Sequence, residues 1–345
     1  MAADQAKMLE AARAESLWPP ASARTVALGL AVGGFLLAYP AFFPSPFSLH
    51  LMIMIFLYAL MAQSWNVMAG FSGQISLGHA MFFGIGACTS GVLFAKYGVS
   101  PWIGLIVGMS VSALAAAAIG LPTLRLKGHY FAIATLLIGS GVQIVFSRWE
   151  WVGAASGLYI PIDRASPWIS FQFHGSKTPY YFLALAACAL GYLLVWKLRR
   201  TRFGFRLQAV RDEPEAAASL GVAVSGHKVL AFMLSGAMMS VAGTFYAQYV
   251  LVLDPERLFS LDISILVLLM TVLGGSGTLW GPALGAAILV PLSEYSRIWL
   301  GGTGRTVDLI VYGILIVLIC MFRPRGLLSL IEERLRRRAR SAQTQ

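Results

Sequence analysis

Residues Lys197 to Lys228 read KLRRTRFGFRLQAVRDEPEAAASLGVAVSGHK. Seven of them are Lys or Arg, in a chain where only 12% of residues are charged. Apolar segments long enough to cross a bilayer flank the stretch on both sides. Its centre, Asp212 to Gly221, reads as a short Ala-rich helix stopped by Gly, with Glu213 and Glu215 near its start. Negative charge is favoured there by the unsatisfied N–H groups of the first turn. The pattern is a large hydrophobic body with one long polar element that folds.

Working outward, 58% of the 345 residues are hydrophobic and the mean hydropathy is +0.73. Those values predict an all-α polytopic membrane protein built as one bundle. About ten transmembrane or re-entrant helices are expected, at roughly 25–43, 48–69, 80–97, 101–121, 129–147, 179–197, 228–250, 261–273, 281–299 and 305–322. The eighth is short and runs into glycines, which suggests a broken or re-entrant span. Residues 1–24 read as a cytoplasmic N-terminal segment. Residues 25–322 form the transmembrane domain, with a cytoplasmic loop at about 198–227, and residues 323–345 form a basic tail that anchors on the inner leaflet. An N-in, C-in arrangement places nineteen of the 26 basic residues inside and seven outside, the bias expected of cytoplasmic loops. The net charge of +11 therefore points to membrane anchoring, and no nucleic-acid partner is expected.

Two glycine-rich breaks interrupt the hydrophobic pattern, Gly70 to His79 and Gly274 to Pro282, and each contains a G-x-S-G tetrad. Glycine there either lets helices pack closely or unwinds a helix and exposes backbone. Unwound backbone at membrane depth survives only inside protein or beside a water-filled cavity, and broken helices build transporter sites. Both readings stay open. Asn66 and Gln74 are the polar candidates for a pathway, since buried amides need partners. His79 reads as structural. The loop from Arg148 to Thr178 carries Trp149, Trp151, Tyr159 and Trp168, which serve as interfacial anchors or as a docking surface. The sequence holds no phosphate-binding G-x-x-x-x-G-K-[ST], no H-E-x-x-H and no cysteine cluster, so neither catalysis, a cofactor nor a metal is expected. Nor is there a chain of intramembrane carboxylates of the kind ion-coupled pumps use.

Glu215-Ala216-Ala217, three residues and Gly221 match the E-A-A-x-x-x-G pattern of permease subunits in bacterial ABC importers. The run from Ser64 to Ala80 (SWNVMAGFSGQISLGHA), Leu124 to Ala132 (LRLKGHYFA), Gly274 to Thr278 with Gly281-Pro282, and Phe322 to Leu327 (FRPRGL) resemble the branched-chain amino-acid ABC permease family. The long outer loop is similar to that of its M-type subunit. The resemblance spans about residues 50–330. It implies an importer in the bacterial inner membrane with a second related permease subunit, two cytoplasmic ATPase subunits and a periplasmic substrate-binding protein. Branched-chain or related hydrophobic amino acids are the implied cargo, with urea or short amides as the alternative within the family. An ATP-independent channel is the rival outside it. By the same resemblance Glu215, Ala216, Ala217 and Gly221 form the ATPase-coupling helix; from their place at the first glycine break, Asn66, Gln74 and Ser76 are expected to border the substrate path.

Overall fold

The computed structural model describes residues 23–126, 128–163, 166–173, 175–299, 313 and 326–328. The tenth expected segment, most of the N-terminal segment and most of the basic tail lie outside the described residues. The chain divides into two units between Leu49 and His50. In the first, helix α1 (Ala23–Phe42) ends in stacked rings of Tyr39 and Phe43. Ser45 then accepts from the Ser48 amide, and Pro46 opens α2 (Pro46–Ser72) at the position where a missing N–H costs nothing.

Among the described residues of the second unit, the regular structure is helical apart from one two-stranded ribbon. It contains the rest of α2, then α3 (Ala80–Tyr97), α4 (Pro101–Thr123), α5 (His129–Arg148) and α6 (Thr178–Arg199). After these come α7 (Arg202–Asp212), α8 (Pro214–Ser219), α9 (Val224–Val250), α10 (Pro255–Leu258), α11 (Leu261–Gly274) and α12 (Gly281–Trp299). The first nine expected segments each coincide with a helix. Among the described residues seven helical stretches are long and apolar enough to cross a membrane. The eighth expected segment is one of them: α10 and α11 together run Pro255–Gly274, a 20-residue span interrupted near Phe259.

Burial separates an inner set of helices from an outer one. In α3, 72% of the apolar window is buried, and in α2 and α9 61%, against 17% in α5 and 28% in α4 and α6. The outer helices therefore turn Ile106, Leu114, Leu137 and Leu190 outward, as a lipid-facing surface requires. The inner contact of α3 and α9 is made backbone to backbone. A Cβ at Gly243 would run into the Phe83 carbonyl, and one at Gly86 into Ser240. Such close approach replaces the hydrophobic driving force that is missing between helices in lipid.

The loop between α5 and α6 folds back on the bundle. Strand β1 (Leu158–Tyr159) pairs antiparallel with β2 (Val252–Leu253), directly after α9. Trp102 Nε1 donates to the Trp168 carbonyl, and Gln172 bridges Asp163 N and Pro161 O. Trp149, Trp151, Tyr159 and Trp168 stay exposed. Helix α9 has 27 residues, about 40 Å at 1.5 Å per residue. It therefore puts this aromatic loop and the basic Lys197–Lys228 stretch at opposite ends of the bundle.

Candidate functional site

The basic stretch is two helices where one short helix is expected. Thr201 caps α7 by accepting from the Gly204 amide at 3.3 Å, and α7 continues to Asp212. Pro214 forces the break, because its ring excludes the preceding residue from helical geometry. Glu213 accordingly stands extended at φ −150°, ψ 93°. The Ala-rich helix α8 thus begins at Pro214, with Glu215 in its first turn.

Helix α8 ends in a glycine-dependent cap. Gly221 has φ +81°, its amide donates to Ala218 O at 2.9 Å, and the Val222 amide donates to Ala217 O at 3.0 Å. That pair of bonds is a Schellman closure, which needs a left-handed residue at this position. Ala217 is buried, whereas Glu213, Glu215, Ala216 and Ala218 are exposed. Leu220 stands 85% exposed at the tip. An apolar side chain so exposed beside small alanines forms a surface that a partner can approach closely.

The basic stretch is joined to both glycine breaks. Arg211 Nη1 donates to Gly70 O at 2.9 Å while Asp212 holds the same guanidinium through Nε and Nη2. The Arg199 guanidinium lies 5.3 Å from the centre of the Phe71 ring. Gly73, at φ +72°, ends α2 against Arg211, whose Cγ is 3.0 Å from where a Cβ would stand. Across from it Gly277, at φ +77°, has Arg211 Nη1 and Gly70 O each 3.1 Å from its own missing Cβ. Gly326, from the FRPRGL run, packs on Gly275 in the same cluster.

Asn66 clamps the second break to the first. Its Oδ1 accepts from the Gly277 amide at 2.8 Å, and its Nδ2 donates to Thr278 O at 2.8 Å and to Gln63 Oε1 at 3.2 Å. The residue is fully buried, and both ends of its amide are committed to protein partners. Thr278 closes the second break by donating to Gly275 O and accepting from the Gly281 amide.

The other two path candidates differ from Asn66. The first break is pinned by the Trp65 indole on Ser76 O at 2.7 Å, by Thr135 Oγ1 on the Leu77 amide and by Ser264 Oγ on the Ala80 amide. Gln74 Oε1 and Ser76 Oγ, in contrast, are buried without a partner among the described residues. Buried polar atoms are normally satisfied, and these two are exceptions to that rule. His79 is partnered at one ring nitrogen, while its buried Nδ1 has no partner among the described residues. Ser235 Oγ donates to Ser64 O, so His79 Nε2 supplies the proton of its 2.8 Å bond to that hydroxyl.

The structure thus brings Asn66, Gln74 and Ser76 to one break, and connects that break to Glu215–Gly221 through Arg211. Sequence reasoning missed Arg211, Gly277 and Thr278 as a unit. Only the repeated G-x-S-G tetrad hinted that the breaks belong together.

Comparison with known proteins gives this arrangement a family. The family model described as branched-chain amino acid transport system / permease component matches residues 47–320. The high-affinity branched-chain amino acid transport permease LivM of Salmonella typhimurium is 32% identical over 327 residues, covering 87% of this chain and 74% of the relative. LivM of Escherichia coli is 32% identical over 308 residues, covering 81% and 69%. The autoinducer 2 import permease LsrC of Klebsiella pneumoniae is 30% identical over 189 residues, covering 53% and 52%. No solved structure matches the chain. The chain is a multi-pass membrane protein and belongs to the permease family of branched-chain amino acid transport systems.

Proposed function

We propose that the chain is one of two related permease subunits in a binding-protein-dependent ABC importer of the bacterial inner membrane. Its cargo is a branched-chain or related hydrophobic amino acid. Two cytoplasmic ATPase subunits dock on α8, and a periplasmic binding protein delivers cargo at the opposite, aromatic-loop end. The bundle has about ten spans, N-in and C-in, with a transmembrane domain over residues 25–322 between a short cytoplasmic segment and the basic tail. The observation that carries this reading is the Arg211 contact with Gly70. It ties the exposed helix α8 to two breaks in the membrane-embedded pattern, which gives a docked ATPase something to move.

In this reading Glu215, Ala216, Ala217 and Gly221 form the coupling element. Glu215 and Ala216 face the partner, Ala217 seats the helix on the bundle, and Gly221 fixes its end. Gln74 and Ser76 border the substrate path directly, and Asn66 borders it as the clamp that sets the shape of the breaks. Alanine at these three positions changes uptake without disturbing ATPase docking.

Purification from native membranes tests the reading. Two ATPase subunits and a second permease co-purify, and the reconstituted complex takes up leucine only with ATP and the binding protein. A homo-oligomer that conducts solute without ATPases would replace the importer with a channel. Uptake of urea in place of amino acids would keep the importer and change its cargo.

A further inference from the structure

Helix α6 has two distinct faces. Tyr181, Ala184, Gly191, Tyr192 and Val195 are buried, and a Cβ at Gly191 would run into Leu60 of α2. Phe182, Ala186, Leu190, Leu193, Lys197 and Arg200 are exposed. Spacings of three and four residues keep these six on one stripe, about 27 Å long from Phe182 to Arg200. The stripe is apolar over most of its length and changes character near α7. Leu190 is 65% exposed and Leu193 45%, and Lys197 and Arg200 follow within two turns of Leu193.

The cationic end is ordered. The Arg200 guanidinium lies 3.9 Å from the centre of the Trp196 ring, a cation–π stack across one helical turn. Trp196 is itself exposed, the half-wet setting an indole takes at a membrane interface. Stacking fixes the long Arg200 side chain, so it loses less freedom on meeting an anion. Lys197 precedes it by three residues on the same face, and Arg202 and Arg206 stand exposed on α7 just beyond the turn. From Trp196 to Val210 the chain holds five cations and no acid. The next carboxylate, Asp212, is paired with Arg211.

We propose that the α7 end of this stripe is a binding site for an anionic phospholipid. The acyl chains lie along Leu190 and Leu193, the Trp196 indole sits at the level of the ester groups, and Lys197 and Arg200 hold the phosphodiester. A zwitterionic lipid carries its own ammonium beside the phosphate, which an acid-free cluster of cations repels, so the site selects net negative charge. The importer reading decides only the leaflet that supplies the lipid, the inner one. A lipid held here anchors the elbow between α6 and α7, and α7 leads from that elbow to Arg211 and its bond with Gly70.

The test is native mass spectrometry of the permease, purified from its native membrane with the subunits that accompany it and exchanged into nanodiscs of phosphatidylcholine mixed with phosphatidylglycerol. Wild type retains phosphatidylglycerol in preference to phosphatidylcholine. Lys197→Gln and Arg200→Gln each lower that retention about fivefold, the scale of one cation at an anionic surface. Trp196→Leu keeps every charge and lowers retention too, because the stack that orders Arg200 is gone. Arg257→Gln removes an equally exposed cation beyond β2, at the opposite end of the bundle, and retains phosphatidylglycerol as wild type does. Equal retention of the two lipids by wild type overturns the site. So does equal loss in Arg257→Gln and Arg200→Gln, which would mark a general effect of net charge. A disulfide formed between Leu190→Cys and a second permease subunit would put protein on the stripe and overturn it as well. A permease that purifies without ATPases defeats the importer reading, and the lipid comparisons still decide the site.

Discussion

Replacing Asn66 by Ala removes the clamp between the two breaks. The Gly277 amide and the Thr278 carbonyl, 211 and 212 positions away in sequence and part-buried, lose their partner. An orphaned buried polar group costs about 1–3 kcal/mol. Side-chain bonds measured inside membrane bundles average nearer ~0.6 kcal/mol, because the unfolded reference also finds partners. Three orphaned groups, Gln63 Oε1 being the third, together give a loss of about 2 kcal/mol at the lower figure, nearly 30-fold in the folding equilibrium. Ser76→Ala is the matched comparison. The Ser76 hydroxyl is buried but has no partner among the described residues, so its removal costs no more than about 0.5 kcal/mol. Reversible unfolding of the purified permease in mixed micelles measures both, and amide exchange at Gly277 reports the clamp itself. Gly70→Ala supplies an internal check, because its Cβ would occupy the space of Asn66 Oδ1 and the Gly277 amide. Gly70→Ala and Asn66→Ala break the same contact, so their combined cost falls well short of additive. The reasoning fails if Asn66→Ala costs no more than Ser76→Ala and leaves Gly277 exchange unchanged.

Three further perturbations act at other points. Gly221→Ala meets no atom within 4 Å but forces a Cβ into φ +81°, a strain of about 1–2 kcal/mol. Insertion stays normal while ATP hydrolysis uncouples from uptake, and Gly221→Asn, which tolerates that geometry better, keeps more coupling; equal coupling ratios in both would remove the role given to the cap. Arg211→Ala loses the bond to Gly70 O and retains α8, so the complex assembles, as gel filtration shows, yet uptake drops at least about tenfold; wild-type uptake in an assembled Arg211→Ala complex contradicts the link. Gly243→Ala drives a Cβ into the Phe83 carbonyl at the α3–α9 contact, and membrane-inserted protein falls sharply on immunoblots, whereas Gly33→Ala, with nothing within 4 Å, does not reduce it.

Much of this architecture is legible in the sequence because bilayer thickness and helix rise fix the length of each apolar segment. Helices α2 to α6 and α9 start and stop within a few residues of the expected ends, at Pro, Gly or a change of charge. The break at Glu213 follows from the rule for residues before proline, yet the Ala-rich pattern hides it when Asp212 to Gly221 is read as one helix. The family motifs mark Glu215 to Gly221 and the run around Gly70, and the structure puts both at the same end of the bundle. The clamp is not legible. Asn66 and Gly277 are far apart in sequence, and Arg211 is one of seven basic residues in its stretch, with nothing local to separate it from its neighbours. Only packing in three dimensions selects the cation that reaches a carbonyl of the first break.

The clamp is made at one end of α2, and the helix and the breaks beyond it yield differently to a push. Met54 and Gly70 are sixteen residues apart on α2, about 24 Å along its axis. α2 is largely buried, and its 27 residues contain none of the internal prolines that most often kink a helix. The glycine breaks beyond it are different. Their backbone is held by Trp65, Asn66, Thr135, Ser264 and Arg211 from neighbouring elements, not by a continuous helical ladder. Such a segment exchanges one set of partners for another at the cost of a few hydrogen bonds, whereas shifting a helix interior costs its whole ladder. Because Arg211 of α7 contacts Gly70 directly, a displacement of α7 and α8 acts first on the part of the bundle that yields most easily. Coupling of this kind needs two arrangements of the breaks that a partner at α8 binds with different affinity.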